Sequence, residues 1–193
     1  MRVAIVKYNA GNIQSVAFAL NRLGIEPEIS DDPAVLRAAD KVIFPGVGEA
    51  STAMEYLRKD GLDLLIPTLT QPVLGICLGM QLMCTHSEEN DTKCLGIFPV
   101  EVKKFEALEK VPQMGWNTIQ DLKSPLFKGI EENSYVYFVH SYYAEMNPFA
   151  IATTNYVLPY ASAMHKDNFY AAQFHPEKSS EVGALIIENF IQL

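Results

Sequence analysis

The stretch VLGICLGMQ, residues 73–81, holds the pattern that decides the fold. Val73 to Ile76 form a short apolar run that predicts a buried strand, and the residues from Leu78 onward predict a helix. Cys77 stands between them, with a glycine two positions away on either side. Small residues around a potential nucleophile indicate a backbone bend too tight for side chains, with the thiol at its tip. The stretch therefore predicts a strand, a sharp turn that presents a cysteine, and a helix.

Before this turn, strand-like and helix-like patterns alternate along the chain. The predicted elements, in chain order, are strand 2–7, helix 13–23, strand 25–29, helix 33–39, strand 41–44, helix 49–59, a short helix around 62–69 and strand 73–76. Such alternation is typical of parallel strands joined by crossing helices. We therefore expect an α/β fold with a central, mostly parallel sheet flanked by helices.

The second half of the chain has a different character. Segments rich in β-branched and aromatic residues predict additional mixed or antiparallel strands at 96–105, 116–121, 135–144 and 149–154. A hairpin is predicted from 161–165 and 168–174, and apolar residues from Val182 to Phe190 at helical spacing predict a C-terminal helix. No repeat or linker interrupts the pattern, so we expect one domain over residues 1–193.

Composition excludes several classes of function. Fifteen Lys and Arg against 23 Asp and Glu give a net charge of −8, which argues against nucleic acid as a partner. The N-terminal apolar run is too short for a signal peptide and no stretch approaches the ~20 apolar residues that span a bilayer, so a cytoplasmic protein without a membrane partner is expected. Three cysteines without C-x-x-C spacing predict neither a disulfide framework nor a structural metal.

A nucleophilic Cys77 requires a base, because an ordinary thiol is mostly protonated at neutral pH. Of the four histidines, only His175 has an acid beside it in sequence, in His175-Pro176-Glu177. Proline should fix an extended backbone, so that the two side chains point to one side and the carboxylate holds the Nδ1 proton. The oxyanion donors would be the amide of Leu78 and an amide of PGVG, residues 45–48. The alternatives are a buried structural cysteine, which suits Cys84 better, and plain surface turns for the two proline motifs.

Together, GICLGMQ, PGVG and HPEKS resemble the class I, triad-type glutamine amidotransferases. Three further motifs are similar to those of the glutaminase subunits of imidazole glycerol phosphate synthases: GN at 11–12, VPQMGWN at 111–117 and YFVHSYY at 137–143. The resemblance runs from Gly11 to the last helix. It implies a flavodoxin-like α/β domain that uses no cofactor and no metal.

The resemblance also implies roles for individual residues. Cys77 would attack glutamine, His175 would shuttle the proton, and Glu177 would orient His175. The oxyanion amides would come from Leu78 and, after its loop rearranges, from Val47. Contacts with the glutamine substrate would come from Gly48, Gln81, Glu89, Ser141 and Tyr142. Glu88 lies beside Glu89, which leaves that assignment open.

A partner is implied as well. In this family a (β/α)₈-barrel cyclase subunit combines the released ammonia with a phosphorylated ribulosyl intermediate, giving imidazole glycerol phosphate and an aminoimidazole carboxamide nucleotide for histidine biosynthesis. The barrel alone needs ~250 residues, so it must be a separate chain that forms a heterodimer and receives ammonia through a tunnel. The resemblance assigns to the interface Asn12, Met114, Trp116, Asn117 and Lys178. Residues 114–117 read as a loop-like stretch, with a core tryptophan as the alternative.

Two other functions fit the same motifs. A paralogous class I glutaminase could feed ammonia to a different synthase, for example in surface-sugar amidation. A regulatory module without catalysis is the other alternative, and an intact Cys77, His175 and Glu177 argues against it.

Overall fold

The computed structural model describes residues 1–9 and 11–193. The helices are α1 (Ile13–Arg22), α2 (Pro33–Ala38), α3 (Ala50–Lys59), α4 (Leu62–Leu65), α5 (Leu78–Met83) and α6 (Ser180–Gln192), with 3₁₀ turns at Ile66–Thr68, Pro125–Phe127 and Pro176–Lys178. The strands are β1 (Val3–Val6), β2 (Glu28–Ser30), β3 (Lys41–Phe44), β4 (Val73–Ile76), β5 (His86–Ser87), β6 (Thr92–Lys93), β7 (Glu101–Lys104), β8 (Gln113–Ile119), β9 (Ser134–His140), β10 (Tyr142–Ala144), β11 (Ala150–Tyr156), β12 (Leu158–Lys166) and β13 (Phe169–Ala172).

One large mixed sheet organises the molecule. Its strands follow the order β2-β1-β3-β4-β13-β12-β10-β7-β5-β6, with β11 paired to β12. The run from β2 to β13 is parallel, and β12, β10 and β7 continue it with antiparallel pairs. The predicted α/β class, with a mostly parallel centre and an added mixed region, is confirmed.

The parallel strands are buried on both faces because helices cover each side. In β1, Val3 and Ile5 point into one apolar cluster and Ala4 and Val6 into the other. Helices α1 and α6 cover the first face, whereas α3, α4 and α5 cover the second. This arrangement explains why the strands read as continuous apolar runs rather than as alternating ones.

Several predicted boundaries were wrong. The second strand begins at Glu28 rather than at 25, and in the 96–105 segment only Glu101–Lys104 is a strand. Residues 114–117, predicted as loop-like, lie within β8, which pairs with β9 in a separate antiparallel ribbon. Gly115 accounts for the difference, because a glycine in sequence is a loop signal. In the structure it takes φ +132° inside the strand, and both neighbours keep the strand register.

Candidate active site

Cys77 occupies the tight turn between β4 and α5. Its backbone has φ +53° and ψ −108°, a conformation that is rare and strained for a residue with a side chain. The flanking glycines are needed for close packing: a Cβ on Gly75 would lie 2.8 Å from the Met83 sulfur, and one on Gly79 would overlap the Phe44 carbonyl oxygen. Helix α5 can therefore press against the end of β3 only because position 79 has no side chain. The turn predicted from sequence has the geometry of a nucleophile elbow.

The parallel pairing of β4 with β13 brings the histidine beside the cysteine. Ile76 is in register with Ala172, and the Cys77 amide continues the ladder with a 2.7 Å bond to the Ala172 carbonyl. His175, three residues beyond Ala172, is fully buried next to the turn. Its amide donates to the Tyr137 carbonyl at 2.9 Å, which ties the segment to β9.

The His175 ring is oriented by Glu177. Nδ1 lies 2.8 Å from Glu177 Oε1, and both side chains are fully buried. The backbone does not stay extended as expected, because Pro176 starts the 3₁₀ turn Pro176–Lys178, and this turn folds the carboxylate back toward the ring. The same Oε1 atom also accepts a hydrogen bond from Asn12 Nδ2 at 3.1 Å.

Burial alone would lower the pKa of His175. The interactions with Cys77 and the hydrogen bond that His175 donates to Glu177 outweigh burial and raise the pKa of His175 to about 10. Nε2 is buried and has no conventional hydrogen-bond partner within residues 1–9 and 11–193, so Cys77 is the neighbour available to it. The geometry suits an imidazole that takes a proton from the thiol and is stabilised in its charged form by the carboxylate.

A cavity of about 280 Å³ opens in front of the cysteine. The two predicted oxyanion residues and all five predicted substrate residues line it together with Cys77: Val47, Leu78, Gly48, Gln81, Glu89, Ser141 and Tyr142. Three further lining residues were not predicted: Pro112, Val139 and His140. His175 and Glu177 are buried and do not line the cavity, so Cys77 is the one of these three residues that reaches it.

The acidic wall of the cavity is Glu89 rather than Glu88. Glu89 Oε2 accepts a hydrogen bond from the Ala50 amide at 2.7 Å, at the start of α3, and burial raises the pKa of Glu89. Glu88 turns to the other side, where it pairs with Lys103 and accepts from the Lys104 amide. The structure therefore separates the two adjacent carboxylates that the sequence left open.

The Leu78 amide, one of the two predicted oxyanion donors, is occupied in this conformation. The Leu78 amide donates to the Gly46 carbonyl at 3.2 Å, within the PGVG segment. Tyr8 Oη donates to the Pro45 carbonyl at 2.6 Å and holds the start of that segment. An oxyanion can use the Leu78 amide only after the Gly46 carbonyl has turned away.

The five residues assigned to a partner interface do not share one environment. Met114 and Trp116 lie on one side of β8 with 62% and 52% of their surface exposed, and Lys178 is also exposed. Asn117 is half-buried and donates to the Asn155 carbonyl. Asn12 is only 3% exposed and contacts Glu177, so its side chain belongs to the interior of this chain rather than to a free surface.

Gln173 was missed by the sequence reasoning. It is fully buried, and its side chain contacts both Cys77 and Gln81. The sequence did contain a signal for Gln173, because it is a polar residue directly after the apolar strand Phe169–Ala172. A buried amide at such a position needs specific hydrogen-bond partners. His86 also has acidic partners, which its sequence neighbourhood did not indicate, because its ring lies between Asp91 and Glu101. These three residues are at the far edge of the sheet, away from Cys77.

In the described residues, no group of three or more His, Cys, Asp or Glu side chains is placed to hold a metal ion. Over the same ranges, every helix is either too short or too polar to cross a membrane.

The chain belongs to the glutamine amidotransferase class-I family, whose family model matches residues 5–193. A crystal structure of a glutamine amidotransferase has the same fold, with a TM-score of 0.78 at 18% identity, covering 100% of this chain and 98% of that one. Within the class, the chain is 61% identical to the imidazole glycerol phosphate synthase subunit HisH of Bacteroides fragilis strain YCH46 and 46% identical to that of Escherichia coli K12. Both alignments cover 100% of each chain.

Proposed function

We propose that this chain is the glutaminase subunit of an imidazole glycerol phosphate synthase and that Cys77, His175 and Glu177 form its catalytic triad. The observation that carries the proposal is the buried row Cys77, His175 and Glu177 at the end of a cavity lined by the expected substrate residues. Full-length identity to HisH proteins supports the assignment to this synthase rather than to another glutaminase.

The reaction follows from this geometry. Cys77 loses its proton to His175 Nε2, and the thiolate attacks the side-chain amide carbon of glutamine. The tetrahedral intermediate collapses when the imidazolium returns the proton to the leaving nitrogen, which releases ammonia and leaves a thioester on Sγ. Water, deprotonated by His175, then hydrolyses the thioester to glutamate and the free thiol. Glu177 keeps its charge throughout and stabilises the imidazolium.

The resting loop gives this subunit a reason to depend on a partner. Each tetrahedral intermediate carries a negative oxygen, and the Leu78 amide that should bind it is occupied by Gly46. Losing one oxyanion donor costs about 10²–10³ in kcat. We therefore propose that glutamine hydrolysis is slow in the lone subunit and rises when a cyclase subunit, carrying its own ligand, favours the rotated loop.

The partner is proposed to be a (β/α)₈-barrel cyclase in a heterodimer that receives the ammonia directly. The exposed side chains Met114, Trp116 and Lys178 are the part of the surface that we assign to this contact. Aromatic side chains and methionine are enriched in such interfaces. Three free thiols suit a reducing compartment, and we place the complex in the cytoplasm.

The test is ammonia release by the complex with the cyclase of the same cell. Cys77→Ala should abolish glutamine hydrolysis, while the complex still forms and still makes product from added ammonium salt. Cys84→Ala is the matched control, because it removes a buried thiol on α5's C-terminal side and should keep turnover. Substantial hydrolysis by the Cys77→Ala complex would refute the covalent mechanism, and full activity of the isolated wild-type subunit would refute the dependence on a partner.

A further inference from the structure

The side chain of Gln173 links the nucleophile to the wall of the cavity. Its Nε2 atom lies 3.7 Å from Cys77 Sγ, and its Oε1 atom accepts a hydrogen bond from Gln81 Nε2 at 2.9 Å. Gln173 is fully buried and Gln81 is 4% exposed, so water does not compete for these bonds. The NH₂ group that faces the sulfur is therefore shielded from bulk solvent.

The orientation of this amide is fixed by its neighbours. Gln81 Nε2 also donates to the Tyr142 carbonyl at 2.9 Å, and a backbone carbonyl can only accept. The nitrogen of Gln81 must therefore face both the Tyr142 carbonyl and Gln173. If the Gln173 amide were flipped, two NH₂ groups would meet and both would lose a bond. Gln173 thus has to turn its oxygen to Gln81 and its NH₂ group to the sulfur.

A donor at this place acts differently on the two forms of the cysteine. The neutral thiol can donate to the Val139 carbonyl, whose oxygen lies 3.8 Å from Sγ. The thiolate loses that bond and faces the carbonyl with like partial charge, whereas the bond from Gln173 becomes stronger because its acceptor is now charged. A hydrogen bond to the charged form favours that form.

We propose that Gln173 is a hydrogen-bond donor that stabilises Cys77 as the thiolate and that Gln81 holds it in the donating orientation. This role rests on the proposed function, since it acts on the nucleophile of glutamine hydrolysis. It also gives Gln81 two tasks. Gln81 lines the substrate cavity and, through Gln173, helps to prepare the sulfur for attack.

The test measures the thiolate without requiring turnover. The full-length chain is treated with iodoacetamide over a range of pH, and alkylation of the peptide that contains Cys77 is followed by mass spectrometry. Gln173→Met keeps an unbranched side chain of similar length and removes the donor, while Gln81 keeps its bond to Tyr142. We expect alkylation about tenfold slower at neutral pH and a rate that approaches wild type in alkaline solution.

Asn189→Leu is the matched control. It also removes a buried side-chain amide, one that donates to the carbonyls of Leu126 and Lys128 on the α6 side of the molecule. It should lower the unfolding temperature and leave the alkylation profile of Cys77 unchanged. A purely structural role for Gln173 would give the same result for both variants.

An unchanged alkylation profile in folded Gln173→Met protein would overturn the proposal. If that variant fails to fold, Gln81→Met provides the second measurement, because it leaves the donor in place and removes what orients it. Slower alkylation in Gln81→Met supports the proposal and a wild-type profile overturns it. A failure of the proposed function would give a different result: the wild-type complex would release no ammonia, while Cys77 in the wild-type chain would still be alkylated at its usual rate.

Discussion

Asn12 offers the sharpest test of how the proposed triad is held, because its side chain, predicted to lie at a partner interface, is buried against the carboxylate of Glu177. Its Nδ2 atom donates to Glu177 Oε1 at 3.1 Å, the same oxygen that holds His175. The other two oxygens, Asn12 Oδ1 and Glu177 Oε2, are buried and have no partner elsewhere in the part of the chain described. The perturbation is Asn12→Leu, which removes both polar atoms of this side chain and keeps its branching at Cγ.

The expected size follows from the kind of bond that is lost. A hydrogen bond to a charged group contributes about 1.5–3 kcal/mol. If the bond orients Glu177 while His175 is charged, its loss lowers kcat about 10- to 150-fold. The stability of folding should change less, because leucine also removes the unpaired Oδ1 atom of Asn12 from the interior.

The assay is ammonia release by the complex under saturating partner, together with a titration of partner affinity. Asn117→Leu is the control, since Asn117 is an asparagine of β8 that the sequence resemblance assigns to the interface and that bonds to Asn155 rather than to Glu177. It should change the affinity for the cyclase and leave kcat nearly intact. An Asn12→Leu variant that keeps kcat and loses affinity as Asn117→Leu does would refute the positioning role and return Asn12 to the interface.

Three further predictions follow from burial, packing and charge. Trp116→Ala should weaken partner binding by ~2 kcal/mol and leave the urea midpoint of the lone subunit nearly unchanged, because its ring is 52% exposed; equal losses would show a packing role. Burial lowers the pKa of His140 to about 4, so only the unfolded chain gains this proton as the pH falls from 6.5. His140 should therefore contribute a loss of ~2 kcal/mol between about pH 7.5 and about pH 5, opposite in sign to the contribution of His175, whose pKa is raised, and the difference between wild type and His140→Gln in urea titrations should show it. Gly79→Ala should push α5 away from the Phe44 carbonyl by about 1 Å and lower turnover ~100-fold, whereas Gly24→Ala, in open space, should cost ~1 kcal/mol of stability alone; equal turnover in the two variants would contradict the packing argument.

Sequence patterns were sufficient to predict the features that are determined within one short stretch of the chain. The elbow at Cys77 was predictable because strand, glycine spacing and helix are contiguous in sequence, and the parallel sheet followed from alternating periods. The helix start at Asp32-Pro33 was predictable for the same reason, since Asp32 caps the Ala34 amide. Such features depend on neighbours within a few residues.

Contacts between distant segments could not be read in this way. The bond between Asn12 and Glu177 joins residues 165 positions apart, and that between Gln81 and Gln173 joins residues 92 apart. Their side chains look like ordinary polar residues until the sheet brings the strands together. The occupation of the Leu78 amide could not be predicted either, because the direction of the Gly46 carbonyl does not depend on residue type alone.

The separation between Cys77 and His175 depends on one rung of the sheet, the bond from the Cys77 amide to the Ala172 carbonyl. Two contacts from the chain between β4 and β13 also hold the site, the Tyr137 carbonyl that accepts from the His175 amide and the close packing at Gly79, whereas the surface turns of that segment have no part in the distance. Insertions or shortened turns at those surface positions can therefore change what the protein docks against while the spacing of Cys77 and His175 stays the same.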